Sequence, residues 1–458
     1  MEPRSLGYVA AACGGELMDG SPETMATNLS TDSREVGPGT LFVALAGDRF
    51  DAHQFVEQAA RQGASAVVME RSKARKLPCA VIAVDDTRKA LGQLASQYRL
   101  DFDVSVVAVG GSNGKTSTKE ILATLLRQKF STLWSEASFN NDVGVPLTLL
   151  KLTREHRAVV VEMGTNHHGE LQPLLAMSKP QMTVLTNIGR EHLEFFTDLA
   201  GVAQEEGWLA EMTPTNGKFF SNGDSEWTTT IAKRCKGKVF RAGLGVNNDW
   251  RAADLHMDVR GIDFLVAAPS PAYSGRYRLS LLGRHQVANA LLAMAVAAEL
   301  EVSPEQIRAG LQECKPAKMR LQSWSTRGIQ VLDDAYNANA DSMAAALATL
   351  AEFPCAGKRV AVLGDMAELG PETARAQREV GKRAADLGLD MLVTAGHWAD
   401  ETANAAKAEG LAAVHSFPDL DSASKALVAL VHAGDVVLLK ASRASGFERI
   451  GEALKLSE

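Results

Sequence analysis

Cysteine is scarce in this 458-residue chain, and Cys13, Cys79, Cys235, Cys314 and Cys355 stand far apart with no C-x-x-C spacing. That scatter argues against both a disulfide framework and a zinc site, and it makes a reducing, cytoplasmic setting the expectation. Positive charge is not in excess either. With 48 Lys+Arg against 55 Asp+Glu and a net charge of -7, no global field exists to gather a phosphate backbone, so no nucleic-acid partner is expected. Long apolar runs are missing as well. The stretch Val287 to Leu300 is interrupted by Asn289 and Glu299, so membrane insertion is not expected. Leu6 to Cys13, after Arg4, is at the lower limit for a signal peptide and is followed at once by two glycines; it reads as the first helix of a soluble domain.

What is present suits a globular protein: 46% hydrophobic, 22% charged and 6% aromatic residues. The length suggests about three domains, each able to bury its own core. Residues 1–102 alternate short apolar runs (Thr40 to Leu45, Ala66 to Met69, Ala80 to Val84) with helical stretches such as His53 to Gln62, the pattern of an α/β unit. Residues 103–315 open with a strand, Val104 to Val109, a Gly-rich turn, Gly110 to Gly114, and a helix with Ile121, Leu122, Leu125 and Leu126 on one face. Strands are expected at Ala158 to Met163 and Met182 to Ile188, and a helix from Arg284 to Leu300. Ser303-Pro304-Glu305-Gln306 then carries a capping box that starts another helix. Lys315-Pro316 breaks the pattern. Residues 316–458 place apolar strands at Ile329 to Leu332, Arg359 to Leu363, Met391 to Thr394 and Val436 to Leu439 between helices, as in a doubly wound parallel sheet. The expected fold is α/β in three domains, a central P-loop domain and a Rossmann-like C-terminal one.

The strongest chemical signal is Gly110-Gly111-Ser112-Asn113-Gly114-Lys115-Thr116 between strand and helix. Glycines let backbone N–H groups turn in around phosphate oxygens, and the helix start adds its positive dipole end. Lys115 would neutralise β- and γ-phosphates and Thr116 would bind Mg²⁺. Val109 stands where the usual first glycine of such a loop falls. Glu162 ends a wholly apolar strand, where ligands of open parallel sheets collect. Beside a P-loop it is a candidate Mg²⁺ ligand, the alternative being a salt-bridged strand-end acid. His192, between Glu191 and Glu194, is either a second ligand or a structural hydrogen-bonding group. His285 and Asn289 share one helix face and could present an amide to adenine, unless they only close the helix start. Asp333-Asp334-Ala335-Tyr336-Asn337-Ala338-Asn339 reads as a recognition loop at a strand end.

Together these motifs resemble the Mur ligases, ATP-dependent amide-bond-forming enzymes of peptidoglycan precursor synthesis. The resemblance runs through Ser30 to Arg34, Gly111 to Thr116, Asn140-Asn141, Glu162 to Gly164, Gly189 to Glu194, Gly283 to Gln286 with Asn289, Arg320-Leu321, Asp334 to Asn339 and Lys440. Their order along the whole chain is its most specific feature. It implies a monomer using ATP and two Mg²⁺ ions, with UDP-N-acetylmuramoyl-tripeptide and D-alanyl-D-alanine as substrates. An Asp-Asn-Pro-Arg-like loop, usual in the sister enzyme that adds the third peptide residue, is missing here. On this resemblance Ser33 and Arg34 lie near the UDP-sugar substrate, and Asn140, Asn141, Asn337 and Asn339 bind substrate. Gly111, Ser112, Asn113, Gly114, Lys115, Thr116, Ser117, His285, Asn289, Arg320 and Tyr336 surround ATP. Lys115, His192 and Arg320 act in catalysis, and Thr116, Glu162, His192 and Glu206 bind metal. Mur ligases generally carry a lysine after the strand-end histidine, carbamylated by CO₂ to hold Mg²⁺. The matching position here is Glu206, with Glu205 expected to be a solvated neighbour. A folylpolyglutamate-type ligase and a P-loop ATPase switch are the alternatives.

Overall fold

The computed structural model describes residues 1–47 and 50–456. The chain forms two compact units: Met1–Ala108 with Phe130–Thr165 and Gly169–Thr183, and Val109–Lys129 with Asn166–His168 and the chain from Val184 onward.

In the first unit a five-stranded sheet has the order Glu16–Asp19, Ala80–Val84, Ala66–Glu70, Thr40–Val43, Asn28–Ser30. Its inner strands pair in parallel, as their wholly apolar character requires, and only the edge strand Glu16–Asp19 runs antiparallel. Phe42, Val67, Met69 and Val81 pack there against Val56 and Ala59. The expected helix from His53 begins instead as a 3₁₀ turn, Ala52–Phe55, because the Asp51 carboxylate accepts the His53 N–H at 3.0 Å, and becomes α-helical over Val56–Arg61. Thr132–Trp134 and Ala158–Glu162 lie side by side in parallel, with Leu133 opposite Val159, and the second of these neighbours Ser105–Gly110.

Strand Met182–Leu185 enters the second unit at Val184, and Lys218–Asn222, Lys238–Gly243, Trp250–Asp258, Gly261–Ala267 and Gly275–Leu279 follow it in order. The last three form antiparallel hairpins that the sequence reading did not foresee. Strand Met182–Leu185 stops short of the expected Ile188. From Thr186 the backbone serves the glycine-rich turn, Thr186 donating through N–H and hydroxyl to Gly110 O at 3.0 and 3.1 Å. Helices Lys115–Arg127 and Arg284–Glu299 pack together. The second is buried nearly all round, from Val287 and Asn289 to Ala297. Such a helix carries no single diagnostic face. The capping box at Ser303 and Gln306 is formed, and its helix runs over Pro304–Glu313.

The C-terminal six-stranded sheet has the order Gln322–Thr326, Ile329–Asp333, Val436–Lys440, Arg359–Gly364, Met391–Ala395, Val414–Phe417. Five strands are parallel, and Gln322–Thr326, the strand missed in the sequence, adds an antiparallel edge. Val331, Val360, Val362, Val393 and Leu439 fill one face. Asp333, Gly364 and Lys440 therefore end neighbouring strands on the carboxyl side, where open α/β sheets bind ligands.

Candidate active site

Chain direction at the glycine-rich turn is set by two residues with left-handed torsions, Gly111 at φ 111° and Gly114 at φ 85°. A side chain at Gly111 would collide with Thr186 Oγ1, and one at Gly114 would come within 2.6 Å of Asn289 Oδ1. Only glycine fits, both for torsion and for space. Val109 is not part of this turn; it lies buried inside strand Ser105–Gly110. The loop is further held by Ser112 N–H to Asn187 O at 3.0 Å and Asn113 N–H to Asn187 Oδ1 at 2.7 Å.

Lys115 starts the following helix. Its Nζ donates to Gly111 O at 2.6 Å and Ser112 O at 3.1 Å, and it meets Glu191 Oε2 at 3.3 Å. Burial raises the Glu191 carboxyl above its ordinary range, opposed by Lys115 and His192. Thr116, next along, is buried. Ser117 Oγ accepts from Gln286 Nε2 at 3.3 Å, and Gln286 Oε1 accepts from Asn289 Nδ2 at 3.0 Å, which leads the amide of the helix Arg284–Glu299 back to Gly114. Asn289 is thus beside the phosphate loop. His285, on the same helix, is pushed down to about 4 by burial, against the pull of Asp334 and with the push of Lys440.

Glu206, at the end of helix Leu199–Glu206, is 1% exposed and accepts the Gly111 N–H through Oε2 at 2.8 Å. Its Oε1 and the Asn113 Nδ2 are buried polar atoms with no hydrogen-bond partner among the described residues. Burial raises the carboxyl to about 8; Lys115 opposes this and Glu191 adds to it. Glu205 is not the solvated acid expected. It is 2% exposed, with His168 Nδ1 at 3.9 Å, because the helix lies with both acids turned inward.

His192 has a left-handed φ of 49°, and its Nδ1 meets Glu368 Oε2 at 2.5 Å while Nε2 lies 4.0 Å from Glu191 Oε2. Arg320 stacks over the Tyr336 ring at 4.3 Å. The loop after Asp333 is held from beneath by buried Lys440, whose Nζ donates to Asp334 Oδ2 at 2.6 Å and Asn337 O at 3.0 Å. Burial lowers this ammonium, and Asp334 opposes the shift. Asn339 caps helix Ala340–Glu352 by accepting the Ser342 N–H at 2.9 Å, and donates to Asn113 Oδ1 at 3.0 Å.

Five of the expected residues belong to the first unit. Ser33 and Arg34 lie in a 3₁₀ turn, where Asp32 accepts both the Arg34 N–H and its guanidinium. Asn140 Nδ2 donates to Glu162 Oε1 at 2.9 Å; Glu162 is 1% exposed. Asn141 Oδ1 accepts the Gly144 N–H at 2.9 Å and so starts helix Gly144–Leu149, a structural task that occupies its amide oxygen. No three His, Cys, Asp or Glu side chains converge as a metal cluster among the described residues. Mg²⁺ does not need such a cage, since it takes one or two carboxylates with phosphate oxygens and water. Sequence reasoning placed no role on Glu191, Asn187 or Gln286. Glu191 and Gln286 fall inside motifs of the resemblance and Asn187 just after a strand, but which way each side chain turns depends on torsions such as that of His192.

Three family models match the chain: "Mur ligase family, catalytic domain" over residues 26–99, "Mur ligase middle domain" over 109–297 and "Mur ligase, glutamate ligase domain" over 319–443. The UDP-N-acetylmuramoyl-tripeptide--D-alanyl-D-alanine ligase of Escherichia coli K12 is 38% identical over 435 residues, covering 93% of each chain. Among solved structures, a MurF crystal structure from Acinetobacter baumannii is 32% identical with TM-score 0.92, covering 100% of this chain and 99% of that one. A Thermotoga maritima MurF ligase in complex with ADP is 28% identical with TM-score 0.83, covering 94% of this chain and 97% of its own. No helix among the described residues is long and apolar enough to cross a membrane.

Proposed function

The chain belongs to the Mur ligase family, and on that premise we propose that it joins D-alanyl-D-alanine to UDP-N-acetylmuramoyl-tripeptide with cleavage of ATP to ADP and phosphate. A tripeptide carboxylate oxygen attacks the γ-phosphorus and ADP leaves, forming an acyl phosphate. The dipeptide amine then attacks the acyl carbon, phosphate leaves, and the nitrogen gives up its proton. The observation that carries this reading is the glycine-rich turn with Lys115 at its mouth, together with a buried, unpartnered amide donor at Asn113.

Positioning and charge neutralisation are the protein's main tasks in such phosphoryl transfer. The open first-turn N–H groups of helix Lys115–Arg127, just after the glycine-rich turn, hold phosphates, and Lys115 leaves its loop carbonyls to meet the transferring phosphoryl group. Asn289 and the Arg320-stacked Tyr336 flank ATP; His285 lies on the same helix as Asn289, and Ser117 follows the loop. Two Mg²⁺ ions supply Lewis-acid neutralisation when bound. In the second unit the Thr116 hydroxyl and the unpartnered Glu206 Oε1 are hard oxygens suited to that ion. His192 would reach metal through Nε2, its Nδ1 lying 2.5 Å from Glu368 Oε2. In the first unit Glu162 is proposed for the same role. Ser33, Arg34, Asn140 and Asn141 would serve the UDP-linked substrate, and Asn337 and Asn339 the dipeptide, with residues 1–102, 103–315 and 316–458 dividing these tasks. We place the enzyme in the cytoplasm as a monomer.

The test is mass spectrometry of the product from UDP-tripeptides ending in diaminopimelate or in lysine. Pentapeptide formation with ADP release dependent on both D-alanyl-D-alanine and UDP-tripeptide is expected. ADP release that ignores the dipeptide would remove the ligase reading in favour of an ATPase.

A further inference from the structure

The segment Gly189 to His192 links the phosphate loop to the start of helix Ala340–Glu352, and every link is a named contact. Toward the loop, Gly189 N–H donates to Ser112 Oγ at 2.8 Å, and Glu191 Oε2 receives Lys115 Nζ at 3.3 Å. Toward the helix, one carboxylate holds Arg190 in two ways. Asp341 Oδ2 accepts the Arg190 backbone N–H at 2.7 Å, while Oδ1 accepts Nη2 at 3.1 Å and Nε at 3.2 Å. Arg190 Nη1 is fixed in turn by Glu379 Oε2 at 2.5 Å. Even Gly189 is shaped by this contact, since a Cβ there would lie 2.7 Å from Asp341 Oδ2.

Arg190 and Asp341 side chains are 27% and 37% exposed. An ion pair so open to water contributes little to folding. What the contact does achieve is geometric: it fixes both backbone and guanidinium of the residue directly before Glu191. A carboxylate that faces the phosphate-loop lysine must be held within fractions of an ångström, since small misplacements near a transferring group cost large factors in rate.

We propose that Asp341 is a positioning residue for the phosphoryl-transfer step: acting through Arg190, it sets Glu191 and with it the resting place of Lys115. This rests on the ligase reading above. Asp341 does not touch the reacting atoms. Its loss leaves the torsions of Gly111 and Gly114 and the open N–H groups at the start of helix Lys115–Arg127 intact, so ATP binding is retained while turnover falls.

The test is steady-state kinetics of the full-length enzyme with ATP, UDP-tripeptide and D-alanyl-D-alanine, alongside thermal midpoints. Asp341→Ala and Arg190→Ala should each lower kcat about tenfold or more with KM for ATP changed less than about threefold. The double variant should be no slower than the slower single, because both substitutions break one link. Asp341→Asn, which keeps an acceptor for the Arg190 N–H, should retain more activity than Asp341→Ala. Should Asp341→Ala not fold, Asp341→Asn and Arg190→Ala carry the comparison. Unchanged kcat in the Asp341 variants, or single effects that multiply in the double, would overturn the positioning role. A wild type that makes no pentapeptide would overturn the ligase reading instead.

Discussion

Glu206 Oε2 accepts the backbone N–H of Gly111 at 2.8 Å, so an acid from the end of one helix is built into the first turn of the phosphate loop. The lysine carbamate that the family resemblance implies for this position requires CO₂; the carboxyl group of Glu206 does not. Turnover should therefore be the same in bicarbonate-free and bicarbonate-supplemented buffer. Glu206→Ala should lose activity by about a hundredfold or more, since both the loop contact and a hard oxygen proposed for Mg²⁺ vanish. Loss of turnover on CO₂ depletion would show that another group carries the carbamate.

Glu205 shares that helix end and is also buried. Removing a buried polar group without its partners costs about 1–3 kcal/mol. Glu205→Ala should accordingly lower the thermal midpoint while leaving KM for ATP near the wild-type value, whereas Glu206→Ala should act chiefly on kcat. Reversed effects would mean that the two acids have been assigned the wrong way round.

Lys115 rests on two loop carbonyls and Glu191. Its ammonium is already desolvated and partnered before ATP arrives, so it adds more to the developing phosphoryl charge than to ground-state binding. Lys115→Ala should lower kcat by several orders of magnitude. Isothermal titration should still detect nucleotide. Near-normal turnover would dismiss the P-loop assignment.

The parts of this site that were legible in the sequence are those fixed by local rules. Gly111 and Gly114 announce a tight turn between strand and helix, Ser303 and Gln306 announce a cap, and the apolar strands announce a parallel sheet. The hairpins from Trp250 to Leu279 were missed because their alternation is broken by a register shift between Ala253 and His256. Arg190 and Asp341 lie 151 residues apart; no periodicity joins them, and only the folded loop brings a helix-start acid to that guanidinium. Glu205 was misread because eight residues of helix, Leu199–Glu206, gave too little pattern to tell a solvated acid from an inward one.

His285 supplies the remaining prediction, one of stability rather than rate. Burial holds its ring at about 4 in the folded protein, although part of the residue reaches solvent, while an unfolded histidine titrates near 6.5. Between those values the unfolded chain takes up a proton that the folded one refuses. Stability is thus fully present above pH ~6.5 and falls as the pH drops toward ~4, by on the order of 2–3 kcal/mol for this one group. His285→Gln removes the titration and keeps a polar side chain of similar reach. Denaturant unfolding of wild type and variant at steps from pH 7 to pH 4 should therefore give a difference that narrows or reverses in the variant's favour as the pH falls. A difference that stays constant across that interval would show that the imidazole is as free to take a proton in the folded protein as in the unfolded chain, and that the contact region of Asp334 and Lys440 leaves it in water.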